Sequence, residues 1–178
     1  ESASTIIEGL TIMNGRSVPF DYSGDDNSSW EDCGGGMINY LGSNPSITKC
    51  IFTDNFTYDD GGGIYNYLQS SPTISFCTFT NNTAQSEGGG IYNGSGDCDP
   101  IITSCEFLGN SASRGGAIAS STSNQVLNDC IFFGNSASNG GAIYNYQNNQ
   151  ILTNCIIENN FASYRGGAIY NQNGPSQP

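Results

Sequence analysis

The chain has 178 residues, a net charge of −12 and only four basic side chains, Arg16, Lys49, Arg114 and Arg165. So thin a supply of cations excludes nucleic-acid binding, which needs clustered Lys and Arg to displace counterions. It also argues against an anionic membrane surface, and no apolar run approaches the roughly 20 residues that span a bilayer, so this chain is not expected to insert in a membrane. Aromatic residues at 11% beside charged residues at 11% point to an ordered fold with a polar, weakly charged surface.

In chain order, the first predicted strands lie within Ile6 to Asn14 (IIEGLTIMN), a degenerate copy of the unit described next. It places Gly9 in a column of cysteines and Asn14 in a column of asparagines. An insertion at about 15–33 follows, holding the only Trp, Trp30, and suited to a lid, a cap or a docking arm. The chain starts at Glu1 with no signal peptide, which predicts a mature product or a piece of a longer polypeptide. From Gly34 onward a unit recurs. The apolar residue after each glycine cluster is Met37, Ile64, Ile91, Ile118, Ile143 and Ile169, at spacings of 27, 27, 27, 25 and 26. Cys50, Cys77, Cys105, Cys130 and Cys155 form a second column. Two residues further on come Phe52, Phe79, Phe107, Phe132 and Ile157, and three further still Asn55, Asn82, Asn110, Asn135 and Asn160. After the glycines a second polar column reads Asn39, Asn66, Asn93, Ser120, Asn145 and Asn171. A tail at about 173–178 ends a chain read as one domain over 1–178.

Apolar residues two apart are the period of a strand. The strands are short and bounded by Gly, Asn and Ser. A period of 25–28 residues suits one winding of three strands and is too short for a propeller blade. The expected fold is therefore all-β, a parallel β-helix of about six coils in which like residues stack on like. Ile, Cys and Phe fill the interior. The two asparagine columns sit at turns, where stacked amides bond one another. Paired glycines permit positive φ at a corner, and Thr57, Ala84, Ala112, Ala137 and Ala162 fill a tight one.

Arg114-Gly-Gly-Ala-Ile118, Asn139-Gly-Gly-Ala-Ile143 and Arg165-Gly-Gly-Ala-Ile169 resemble the GGA(I/L/V) motif, and Phe52-x-x-Asn55, Phe79-x-x-Asn82, Phe107-x-x-Asn110 and Phe132-x-x-Asn135 its FxxN partner. The pair is typical of chlamydial polymorphic outer-membrane proteins and of many bacterial β-helix repeat proteins. The resemblance covers nearly all of the chain from Gly34 and implies a right-handed winding, secretion or surface display, and often adhesion. The first three glycine clusters depart from it, with Gly in place of Ala, and no membrane barrel is present in the sequence to support autotransport.

Chemistry is sparse by comparison. A stack of in-register cysteines is poor disulfide geometry, so the column is read as packed thiols. Cys33 and Cys98 lie off it, and a bond between them is left open. With no His and no Cys-x-x-Cys, metal binding by thiols is not expected. Asp59, Asp60 and Glu87 beside the glycines are weak candidates for Ca²⁺ through hard oxygens, and with Asp97 and Asp99 they are the carboxylates a polysaccharide lyase or hydrolase would need. The column before the glycines sets Glu87 beside Arg114 as a surface ion pair. Tyr65, Tyr92, Tyr144 and Tyr170 follow the inward Ile and should face outward, with Ala119 breaking the row, as a strip for a glycan or partner surface. The sequons at Asn27, Asn55, Asn81 and Asn93 are expected by chance in so Asn-rich a chain. The outward column Thr48, Ser75, Thr103, Asn128 and Thr153 is too irregular for an ice-binding face. The reading is a non-enzymatic extracellular structural or adhesive module, an adhesin or filament former that stacks end to end or is excised from a longer surface protein. The alternative is a carbohydrate-binding or polysaccharide-degrading protein.

Overall fold

The computed structural model describes residues 5–17, 32–94 and 96–173. The segment 18–31 with Trp30 and the sequon at Asn27, and residues 174–178 of the tail, lie outside the described residues.

Three parallel sheets, each six strands deep, wrap one interior. The first sheet stacks Ile6–Glu8, Ser46–Thr48, Thr73–Ser75, Ile101–Thr103, Val126–Asn128 and Ile151–Thr153. The second stacks Thr11–Met13, Ile51–Thr53, Thr78–Thr80, Glu106–Leu108, Ile131–Phe133 and Ile156–Glu158. The third stacks Met37–Tyr40, Ile64–Tyr67, Ile91–Asn93, Ile118–Ser121, Ile143–Tyr146 and Ile169–Gln172. Short pairings, Phe56–Thr57 with Thr83–Ala84 and Ser136–Asn139 with Phe161–Arg165, run between the second and third sheets. The chain thus makes six rungs joined by five returns to the same sheet. No helix among the described residues is long and apolar enough to cross a membrane.

Alternation along each strand decides what enters the core. Ile47, Ile74, Ile102 and Leu127 point in from the first sheet, Phe52, Phe79, Phe107 and Phe132 from the second, and Ile64, Ile91, Ile118 and Ile143 from the third; all are fully buried. The four phenylalanine rings lie nearly flat on one another, with centroids 4.9, 4.8 and 4.9 Å apart, the spacing of the strands themselves. Because no rung buries its apolar residues alone, stability comes from contacts between neighbours.

The corners explain the other columns. Between first and second sheets stand two residues. The first takes a left-handed backbone: Gly9, Lys49, Phe76, Ser104, Asp129 and Asn154 all have φ between 52° and 67°. This kink breaks the sheet ladder, and the cysteine that follows repairs it. The Cys50 N–H donates to Cys77 Sγ and the Cys77 N–H to Cys105 Sγ, both at 3.4 Å. The cysteines therefore belong to a corner just ahead of the strand, not to the strand. The next corner repeats the device with Asp54, Asn81, Gly109, Gly134 and Asn159 at positive φ, each followed by an asparagine of the first column.

Two sequence assignments in the first rung are corrected. Ile6–Glu8 pairs with Ser46–Thr48 and Thr11–Met13 with Ile51–Thr53, so Gly9 aligns with Lys49 and Leu10 occupies the cysteine position. Likewise Asn14 aligns with Asp54, and Gly15, whose N–H donates to Asn55 Oδ1 at 2.9 Å, occupies the asparagine position. Both had been placed one residue early because glycine and asparagine also serve the left-handed corner position.

The second asparagine column is also corrected. Asn39, Asn66, Asn93, Ser120, Asn145 and Asn171 sit inside third-sheet strands, not at turns. Each is two residues beyond an inward apolar residue, so it too faces in, and Asn66, Asn93 and Ser120 are fully buried. At the third corner Gly61, Gly88, Gly115, Gly140 and Gly166 have φ between 61° and 71°. The glycine after each of the first four is packed so closely that a Cβ on Gly116 would lie 2.3 Å from the Gly141 carbonyl oxygen.

Candidate functional site

The outer face of the third sheet gathers most of the chemically capable side chains. Its strands present two outward positions per rung. One runs Ile38, Tyr65, Tyr92, Ala119, Tyr144 and Tyr170, the other Tyr40, Tyr67, Gly94, Ser121, Tyr146 and Gln172. Tyr65 stacks on Tyr92 at 5.4 Å and on Tyr67 at 5.6 Å, and Tyr144 lies 5.8 Å from Tyr170.

The row was expected to face outward, either stacked over the coil exterior or open to a glycan or partner. It faces outward from the interior, yet Tyr65 is only 5% and Tyr144 3% exposed, and Tyr92 and Tyr170 are half-buried. The corner column Cys33, Asp60, Glu87, Arg114, Asn139 and Arg165 folds over it. Arg114 Cζ lies 5.6 Å from the Tyr144 ring centroid, and the Arg165 guanidinium donates to the hydroxyls of Tyr170 at 3.0 Å and Tyr164 at 3.1 Å. Glu87 and Arg114 form the ion pair expected from their columns, but not a fully exposed one. The Glu87 side chain is 11% exposed against 43% for Arg114. Burial raises the Glu87 carboxyl above its ordinary range and the Arg114 charge opposes the rise.

Beside Ser121, two residues on from Ala119, a cleft of about 320 Å³ opens, lined by Glu87, Arg114, Ser121, Tyr144, Tyr146 and Gln172. The Tyr144 hydroxyl donates to Gln172 Oε1 at 3.1 Å, which ties one wall to the next rung. The cleft combines ring faces, a carboxylate that accepts, a guanidinium that donates, and hydroxyl and amide groups that do both. Sequence reasoning named Glu87, Arg114 and Tyr144 and overlooked Ser121, Tyr146 and Gln172. Strand alternation marked them, since each stands two residues beyond an outward position already singled out.

The remaining candidates separate. Asp59 and Asp60 come together with Cys33, their ligand atoms and its sulfur all within 4.8 Å of one another, while Glu87 stands outside this group. The Cys33 thiol donates to Asp59 Oδ2 at 3.7 Å, and burial pushes it up to about 12. Burial, and then the charges of Asp59 and Glu87, push Asp60 up to about 7, although its Oδ1 accepts the Glu87 N–H at 2.9 Å. A thiol beside two carboxylates is a mixed donor set, unlike the all-oxygen shells that suit Ca²⁺. Asp97 and Asp99 are exposed in the corner before the fourth first-sheet strand, where Asp99 Oδ1 accepts the Asn124 N–H at 2.6 Å.

No disulfide joins any of the seven cysteines, so the bond left open between Cys33 and Cys98 is not formed. Cys50, Cys77, Cys105 and Cys130 are buried in their column, and burial pushes the Cys130 thiol up to about 12. Two sequons are buried in asparagine columns, Asn55 at 1% and Asn93 at 0% exposure, whereas Asn81 is exposed.

A family model described as "Right handed beta helix region" matches residues 47–177. No curated protein and no solved structure matched the chain. Three parallel sheets wound rung upon rung over the same residues agree with that match, and the chain belongs to the right-handed β-helix family.

Proposed function

We propose that this protein is a non-enzymatic extracellular scaffold that holds an adhesive surface and extends by adding rungs end to end. The observation that carries the reading is the use made of the repeated residues. Every inward column stacks on itself, and the side chains able to do chemistry are few and gathered mostly on one outer face. The closer kinship to chlamydial polymorphic outer-membrane proteins, with their surface display, rests on the GGA(I/L/V) and FxxN motifs. Burial of Cys50, Cys77, Cys105 and Cys130 suits an oxidising exterior, because sulfurs packed in the interior are shielded from solvent-borne oxidants.

End-to-end contact is supported by the matching chemistry of the outermost rungs. Leu152, Ile157 and Ile169 are partly exposed at one side of the column, and Ile7, Ile12 and Met37 at the other. A rung from a second copy, or from further chain, would continue every column and the unpaired strand edges with it. Electron micrographs with light scattering at rising concentration test this. Rods lengthening in steps of about 29 Å, six rungs at the strand spacing of ~4.8 Å, are expected. Single short rods at every concentration would overturn the end-to-end part.

The carbohydrate-degrading alternative draws on Asp60, whose raised carboxyl could hold a proton near neutrality. Release of reducing or unsaturated ends from polysaccharides, abolished by Asp60→Asn, would replace the scaffold reading with that one.

A further inference from the structure

Rung four of the third sheet reads Ile118-Ala119-Ser120-Ser121 where rungs two and five read Ile-Tyr-Asn-Tyr. Both outward tyrosines are absent at once here, whereas rung three keeps Tyr92 and lacks only the second, at Gly94. Tyr65 and Tyr92 lie on the side toward the first rung and Tyr144 and Tyr146 on the side toward the last, and only the latter pair lines the cleft. The cleft of about 320 Å³ lies beside Ser121, on the side of rungs five and six, at the lower edge of the roughly 300–1,000 Å³ that small-ligand sites occupy.

We propose that the cleft binds one neutral sugar residue of a glycan chain, with Ser121 as its floor. The inference rests on the adhesive reading above and names what the surface adheres to. A sugar ring has an apolar C–H face and a rim of adjacent hydroxyls, each both donor and acceptor. The cleft offers the complement of both. Tyr146 supplies apolar ring surface with a polar tip, and Tyr144, almost wholly buried, stiffens the wall through its bond to Gln172. Glu87 and Arg114, held by their mutual contact and by the Tyr144 ring, set an acceptor and a donor side by side before any ligand arrives. Ser121 and Gln172 complete the rim.

Charge selects a neutral sugar over an acidic one. The only cation in the cleft is already paired with Glu87, and the whole chain carries −12. A uronate or sulfated sugar would meet a like charge at close range and a repelling field at long range.

Two substitutions plug the cleft without disturbing the interior. Ser121→Tyr continues the row of Tyr40, Tyr67 and Tyr146, and Ser121→Trp fills the same space with a larger ring. Titration calorimetry against neutral gluco-, manno-, galacto- and xylo-oligosaccharides and against oligogalacturonate is the measurement, with thermal melts confirming that each variant folds. At least one neutral oligosaccharide should bind the unaltered chain, oligogalacturonate should bind more weakly, and either plug should weaken binding by about tenfold or more. No binding by any neutral oligosaccharide, preference for oligogalacturonate, or equal binding by both folded plugs would overturn the inference. Rod growth does not involve this cleft, so rods that lengthen without binding sugar would sink the sugar site alone and leave the scaffold standing.

Discussion

The two asparagine columns look alike in sequence and hold different things together. The column of Asn55, Asn82, Asn110, Asn135 and Asn160 lies where a left-handed residue has broken the sheet ladder, and its side chains replace the missing main-chain bonds. Asn82 Oδ1 accepts from both the N–H and the Nδ2 of Asn55, while its own Nδ2 donates to Asn110 Oδ1 and the Phe52 carbonyl. The column of Asn39, Asn66 and Asn93 lies inside strands that pair through their own backbones, and its links run from amide to amide at 2.8 Å. The first column is unbroken over five rungs. The second accepts Ser120, and Gln125 reaches across from the next corner to take the Asn93 amide at 2.8 Å. A polar residue that completes the backbone is thus harder to replace than one that only completes its copies.

The largest expected effect follows from breaking the first column. Asn82→Ala strips partners from the buried Asn55 N–H and amide, from Asn110 Oδ1 and from the Phe52 carbonyl, and should lower stability by roughly 3–5 kcal/mol in urea denaturation. A loss under about 1 kcal/mol would mean that the corner does not depend on it.

A charged stack on the outer face extends the contrast to pH. Asp60 rises from 3.8 to about 7 in the folded chain, chiefly through burial. A carboxyl raised on folding stabilises fully below its unfolded value, and that contribution is lost as pH rises through the folded value. Thermal melts should therefore fall in midpoint between about pH 4 and pH 7. Asp60→Asn, which keeps an acceptor for the Glu87 N–H, should flatten the fall. An unchanged slope would assign the dependence to other groups.

Smaller effects belong to the second column. Asn66→Ser imitates rung four and should cost about 1–2 kcal/mol, visibly less than Asn82→Ala in the same assay. The double substitution Ser120→Asn in rung four with Gln125→Pro in rung five returns both positions to the pattern of the rungs before them and should stabilise by about 0.5–1 kcal/mol. It also removes the buried Gln125 Nε2, which has no hydrogen-bond partner among the described residues. A destabilised double variant would show that Gln125 is the better solution for that rung.

The inward columns were legible because a stacked repeat writes the same residue at the same step. Met37 to Ile169 and Phe52 to Phe132 could be read directly from their spacing, as could the pairing of Glu87 with Arg114. What misled was residue chemistry shared by two adjacent positions, as with Gly9 and Asn14 at the left-handed corners. The cover over the tyrosine row was illegible for another reason. Alternation fixes which side of a strand a ring leaves from, but not how the glycine corner carries Glu87 and Arg114 back across it. A further column went unread although its signal was present. Pro45, Pro72 and Pro100 precede the first sheet at even spacing, and Gln125 and Gln150 take their place in rungs five and six, where both accept from asparagine amides.

The two-residue corner between first and second sheets is the same length in every rung, and its consequence concerns how such a gene can change. A single added codon there would turn the following strand inside out, setting phenylalanine in water and threonine in the core. An in-frame duplication of 27 codons, the step from Ile64 to Ile91, would instead insert one more winding that fits its neighbours on both sides. Related chains should therefore differ in copy number far more readily than by small insertions at this corner.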